Sequence, residues 1–120
     1  MKIYENGVIL AFLDISPINF GHTLIIPKVH FQDIHDTPTE ILVEMIKTSK
    51  VIAKAVKATT KAEGINVTMN NEAASGQAVL HAHIHVIPRY SNDGYKLWGS
   101  DKKYSESEGK DLAQKITQAL

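Results

Sequence analysis

At 120 residues and 43% hydrophobic side chains, the chain has the length of one domain and enough apolar material for a modest core. Its 13 basic and 13 acidic residues cancel, which leaves no electrostatic footprint for DNA, RNA or an anionic membrane. No cysteine is present, which excludes a disulfide scaffold and a thiolate zinc site and suits a reducing compartment. Met1 to Asn6 hold no apolar signal core and no run approaches membrane-spanning length, so a cytoplasmic protein without a membrane partner is expected. With no repeat, linker or low-complexity tract, residues 1–120 read as a single domain.

In chain order, Ile3-Tyr4 reads as a short strand entering a hairpin at Asn6-Gly7. Val8–Leu13 and Thr23–Pro27 read as strands buried on both faces, joined by the turn-rich loop Asp14–His22. The period then changes. Thr37 as N-cap, Pro38 at the first helical position and Glu40 as its capping-box partner predict a helix start. Ile41, Leu42, Met45, Ile46, Ser49, Ile52, Ala53 and Val56 form its apolar stripe, and Gly64 its stop. Lys47, Lys50, Lys54, Lys57 and Lys61 read as its solvated face. Ile65–Met69 is a fourth strand, followed by the polar, small-residue loop Asn70–Gln77. After Arg89 the chain turns irregular, with Trp98 a packing or dimer-rim residue. Ser105 and Glu108 then form a capping box that opens a short helix with Leu112, Ile116 and Leu120 in register. The order β-β-β-α-β-β-α predicts an α+β domain: an antiparallel sheet of about five strands, one long helix and one short one.

The stretch Gly76–Arg89 carries the chemistry. His81, His83 and His85 alternate with Ala82, Ile84 and Val86, so a strand would send three imidazoles to one face, about 6.6 Å apart, and the apolar residues to the core. Two chemistries suit such a face. The three histidines can ligate a metal, or one neutral imidazole attacks while its neighbours donate a proton and fix its orientation. Asp14, before Ile15-Ser16-Pro17, reads either as a ligand or as a turn cap. Ser16 and Ser75 lie in no nucleophile-elbow pattern, and His35 reads as surface.

His81-Ala82-His83-Ile84-His85-Val86-Ile87 resembles the motif of the histidine triad (HIT) superfamily of nucleotide hydrolases and transferases. Ala11–Pro17, Gly21–His30, Asn70-Asn71 and Gly76-Gln77 resemble further parts of that family, so that the likeness runs from about Tyr4 to Arg89. Two features depart from it: no cysteine pair precedes the first strand, and Glu72 stands where relatives commonly have glycine. The resemblance implies that His83 attacks the α-phosphorus of a purine nucleotide and forms a nucleotidyl-histidine. It implies that His85 and Gln77 hydrogen-bond the phosphate oxygens, that Asn70 adds a polar contact, and that His81 orients the site with His22 behind it. Asp14 would hold the ribose, and Phe12, Ile15 and Ile18 would wall the base. It implies no required cofactor, though a polyphosphate substrate allows a divalent cation. It also implies a two-fold homodimer formed by the long helix and the neighbouring strand. The expected substrates are nucleoside phosphoramidates or dinucleoside polyphosphates. A metal-dependent hydrolase and a non-catalytic nucleotide-binding module are the competing classes.

Overall fold

A computed structural model describes residues 1–96 and 99–120, so Trp98 and its predicted packing role lie outside the described residues. Five strands, β1 (Lys2–Glu5), β2 (Ile9–Leu13), β3 (Thr23–Pro27), β4 (Gly64–Thr68) and β5 (Ile84–Arg89), form one antiparallel sheet in the order β1-β2-β3-β5-β4. Helix α1 (Thr39–Thr60) links β3 to β4, and α2 (Glu106–Ala119) follows β5. The α+β class and the five strands match the sequence reading. Because β5 inserts between β3 and β4, the histidine segment reaches the interior of the sheet instead of an edge. Among the described residues no helix is long and apolar enough to cross a membrane.

Asn6 sets the first hairpin, its side-chain oxygen accepting from Val8 N at 2.9 Å and Ile9 N at 2.8 Å. β2 and β3 are not buried on both faces, as their apolar runs suggested. Ile9, Ala11 and Ile25 face a core shared with Ile84, Val86 and α1 residues Met45, Ile52 and Val56. Each Ile, Val or Met side chain among them contributes about 1.5–3 kcal/mol on burial. Phe12, Leu24 and Ile26 point to the other face and are only half-buried, because among the described residues no helix packs there. That uncovered apolar face borders the site.

α1 departs from expectation at both ends. Pro38 is its N-cap and no side chain caps it; Thr37 is buried with its hydroxyl donating to Asp33 O. The local Asp33–Thr37 turn takes the threonine that the capping box needed. At the C-terminus Lys61 adopts the left-handed conformation, φ 56°, so Gly64 opens β4 instead of ending the helix. The apolar stripe is also narrower than predicted, since Ile46 is 57% exposed beside the edge strand β4. The lysines of α1 are exposed, as expected of a solvated face.

β5 begins at Ile84, so of the three alternating histidines only His85 lies within the ladder. His81 and His83 sit in an irregular lead-in, with a bend at His81, tied down by Ala82 N donating to Phe31 O at 2.7 Å. The alternation survives without the ladder: Ala82, Ile84 and Val86 are buried and the histidines are half-exposed. α2 starts with the predicted Ser105–Glu108 capping box, but Leu112, Ile116 and Leu120 cover nothing.

Candidate active site

Pairing of β3 with β5 places Leu24 opposite His85 and leaves His22 at the mouth of β3 beside it. Gly21 makes this turn possible. Its φ of +100° suits glycine, and a Cβ there would come within 2.7 Å of Thr60 Cγ2. The loop closes as Asp14 N donates to His22 O at 2.9 Å. Asn19 anchors it from outside, donating to Pro88 O at 2.8 Å and Asp93 at 3.0 Å. Asp93 in turn takes both ends of the Arg89 guanidinium.

The hydrogen bonds fix the proton on each ring. Ile18 N donates to His22 Nδ1 at 3.2 Å, so neutral His22 carries its proton on Nε2. That proton points at His85 Nδ1, 2.9 Å away, which leaves the His85 proton on Nε2. Burial pushes the His22 imidazole below its ordinary pKa against the pull of Asp14. Burial, then the neighbouring His83 and His22, bring His85 down to about 4. Both rings are therefore neutral near pH 7, and the 3.7 Å approach of Asp14 to His22 Nε2 is not an ion pair there.

His83 is set differently. Its Nδ1 donates to His81 O at 2.7 Å, so the Nε2 lone pair is free. The His83 and His85 rings meet edge-on with centroids 4.8 Å apart. A free imidazole nitrogen thus stands beside a ring whose outward nitrogen carries a proton. His81 donates from Nε2 to Pro27 O at 2.9 Å. Its Nδ1 must then accept, and the donor is His30 Nδ1 at 2.9 Å.

Gln77 is buried and fully engaged by the loop. Its amide donates to Gln32 O at 2.6 Å and Val79 O at 3.1 Å, while its oxygen accepts from Glu72 N at 2.8 Å. In this conformation it shapes the loop around the site. Asn70 lies half-buried, its amide over Gly76, whose φ is +97°. Glu72 holds φ 70° and ψ 159°, a region that glycine favours. Its carboxylate is exposed and 4.0 Å from His35, itself exposed as predicted. Ser75 is no free nucleophile, since its hydroxyl donates to Asn71 O and Glu72 O.

The three predicted base-wall residues do not come together. Phe12 lines an open cleft of about 350 Å³ with Leu24, Ile26, Val79, His81 and His83. Ile15 is 90% exposed and lines a separate hollow with Asp14, Phe20 and His22. Ile18 contributes its backbone N–H to His22 and lines neither. Asp14 does cap a turn, with Oδ1 accepting from Ser16 N at 2.8 Å, and its Oδ2 remains turned towards His22. Sequence reasoning left His30 without a role and overlooked the Asn19–Asp93–Arg89 brace; neither follows any periodicity.

The histidine triad does not form a ligand set. Among the described residues, the set of three or more His, Asp or Glu whose donor atoms converge is Asp14, His22 and His85, within 4.8 Å. A tetrahedral zinc at 2.0–2.1 Å would hold the two nitrogens about 3.3 Å apart and displace their shared proton. The 2.9 Å separation fits the hydrogen bond better.

A family model described as HIT domain matches residues 1–92. Adenylylsulfatase HINT3 from Arabidopsis thaliana is 35% identical over 119 residues, covering 98% of this chain; the chain spans 59% of that protein's length. The crystal structure of a member of the HIT family from Bacillus subtilis superimposes at a TM-score of 0.91 with 34% identity, covering 99% of this chain and 86% of its own. A histidine triad nucleotide-binding protein from Candida albicans does so at 0.88 with 31% identity, covering 99% and 87%.

Proposed function

The chain belongs to the histidine triad family, and on that premise we propose that it hydrolyses purine nucleotides at the α-phosphate through a nucleotidyl-histidine on His83. The observation that carries the reading is the proton order of the rings, a bare His83 Nε2 beside the protonated His85 Nε2. The lone pair of His83 Nε2 attacks phosphorus and forms a P–N bond as the bond to the leaving group breaks. The leaving group departs with that electron pair and takes a proton from water. The ring is then an imidazolium whose Nδ1–H stays on His81 O, a carbonyl suited to developing positive charge. His85 Nε2–H donates to a non-bridging oxygen as negative charge builds there. Attack of water on phosphorus breaks the P–N bond, whose electron pair returns to Nε2 and restores the neutral ring; the proton that this water loses goes to the hydroxide left by the first step, and the nucleoside monophosphate is released.

Asp14 would accept from the ribose hydroxyls, and the apolar cleft of Phe12, Leu24 and Ile26 would take the base. Candidate leaving groups are the amines of phosphoramidates and the polyphosphate of dinucleoside polyphosphates. The Arabidopsis relative adds the sulfate of adenylyl sulfate. The reading requires no cofactor, suits the cytoplasm, and includes a homodimer formed by α1 and β4.

The test is rapid quenching during turnover with labelled substrate. A P–N adduct releases its label in acid and keeps it in alkali, whereas a serine ester survives acid. His83→Ala should abolish adduct and turnover together, and His81→Ala should slow turnover while still allowing the adduct. An acid-stable adduct, or near-normal turnover of His83→Ala, would overturn the mechanism.

A further inference from the structure

His30 and Phe31, consecutive residues just beyond β3, both grip the lead-in to the histidine strand. Phe31 O accepts from Ala82 N at 2.7 Å, and His30 Nδ1 meets His81 Nδ1 at 2.9 Å. The His81 ring is thereby held at both of its nitrogens, since Nε2 donates to Pro27 O at 2.9 Å. Pro27 O can only accept, so the neutral His81 ring is bare at Nδ1 and His30 is the donor there. Among the described residues this is the one side-chain hydrogen bond that His30 makes, and the residue is exposed. A single exposed bond of this kind adds little to the stability of the fold.

Its consequence lies in the His81–Ala82 peptide. The carbonyl of that peptide takes the Nδ1 proton of His83 at 2.7 Å, and its N–H is the one that Phe31 O holds. Where this carbonyl points decides where His83 Nε2, at the far side of the ring, points. No ladder fixes it, because β5 begins only at Ile84. The peptide is aimed instead by Phe31 at its N–H, and by Pro27 and His30 at the ring of the residue that carries the carbonyl. A ring bonded at one nitrogen can swing about that bond; a ring bonded at both cannot.

We propose that His30 is a positioning residue for the nucleophile: by donating from Nδ1 to His81 it selects the His81 ring protonated at Nε2 and aims the carbonyl that orients His83. The inference rests on the hydrolase reading above. What the role demands is a donor at the place of the His30 Nδ1, whatever side chain supplies it. Asparagine carries its amide nitrogen at about that place, whereas ionised aspartate has nearly the same shape and offers only acceptors. The two substitutions therefore separate donation from size and polarity.

The test measures steady-state turnover of adenosine phosphoramidate by the full chain and by three variants. His30→Ala and His30→Asp should lower kcat about tenfold with KM changed less than about twofold, because they misplace the attacking group and leave the binding contacts alone. His30→Asn should return kcat to within about threefold of the wild type. All three should keep the thermal midpoint of the parent within a few degrees. Proton–nitrogen correlation spectra of the imidazoles give a reading that needs no substrate: His81 in the wild type should carry its proton on Nε2, with Nδ1 bare. Undiminished kcat in His30→Ala, a loss confined to KM, a His30→Asn variant as slow as His30→Ala, or a His81 proton on Nδ1 overturns the role of His30 and leaves the hydrolase reading standing. A wild type without turnover overturns both.

Discussion

Protonation of His85 provides a direct physical test of the site, independent of substrate. In the folded chain its pKa lies at about 4, chiefly because burial disfavours the cation, while in the unfolded chain it returns to its ordinary value of 6.5. That difference corresponds to about 3.4 kcal/mol at 1.36 kcal/mol per pH unit. The ring is partly open to solvent, which screens the charge and brings the expected effect to roughly 1.5–3 kcal/mol. Because the folded pKa is the lower one, the unfolded chain binds the proton first as pH falls. The stabilisation is whole above about pH 6.5, declines through the interval, and is spent by about pH 4. His22 shifts in the same direction and adds to the slope. Urea unfolding at pH 7, 6, 5 and 4.5 measures it. His85→Gln removes the ionisable group, so the wild type should lose roughly 1–2 kcal/mol more stability than the variant between pH 7 and pH 4.5, where the transition is not yet complete. Parallel pH dependences would show that His85 is not held neutral by its surroundings.

Asp14→Ala should leave the fold intact and weaken substrates bearing both ribose hydroxyls by about 1.5–3 kcal/mol. A 2′,3′-dideoxy substrate should not distinguish wild type from that variant, and equal handling of both substrates by the two proteins removes the ribose assignment. Gly21→Ala forces a side chain onto φ +100° and to within 2.7 Å of Thr60, so calorimetry should register a loss of about 2 kcal/mol or more. A variant as stable as the parent would mean that the turn before His22 relaxes freely. Exhaustive chelation should leave phosphoramidase turnover largely intact. One tightly bound zinc per chain, with activity lost on its removal, would replace the nucleophilic reading with a metal one.

What was legible in the sequence is what alternation and punctuation encode. The period-two run from Ala82 to Val86 correctly sorted buried residues from histidines, even though the ladder starts only at Ile84. Asn6-Gly7 and Ser105–Glu108 marked a hairpin and a helix start because each acts through its own local hydrogen bonds. Thr37 misled for the converse reason. A threonine hydroxyl can bond forward to a helix or backward to a turn, and here the Asp33 carbonyl took it. Apolar runs in β2 and β3 could not disclose that, among the described residues, no helix covers one face of the sheet, since that depends on where α1 and α2 lie. The same gap in the cover creates the cleft beside His83.

The histidine motif alone is insufficient for the chemistry, because three imidazoles in a row do not specify where their protons sit. The order is imposed by partners remote in sequence. His22, 63 positions away, loads its proton towards His85 only because Ile18 N occupies its other nitrogen. His83 is bare at Nε2 because the His81 carbonyl takes its Nδ1 proton, and that segment is pinned by Pro27, His30 and Phe31. Each ring thus has one nitrogen engaged and the other assigned by elimination. The nucleophile and the neighbouring donor are chemically identical side chains, distinguished by what meets each Nδ1: the His81 backbone carbonyl at His83 and the His22 imidazole at His85. A carbonyl at His83 Nδ1 makes an attacking group; a donor at His85 Nδ1 makes a donor at Nε2 in turn. Roles therefore follow from the antiparallel register of β3 on β5 and from the turn at Gly21, which together bring those partners within 2.7–3.2 Å.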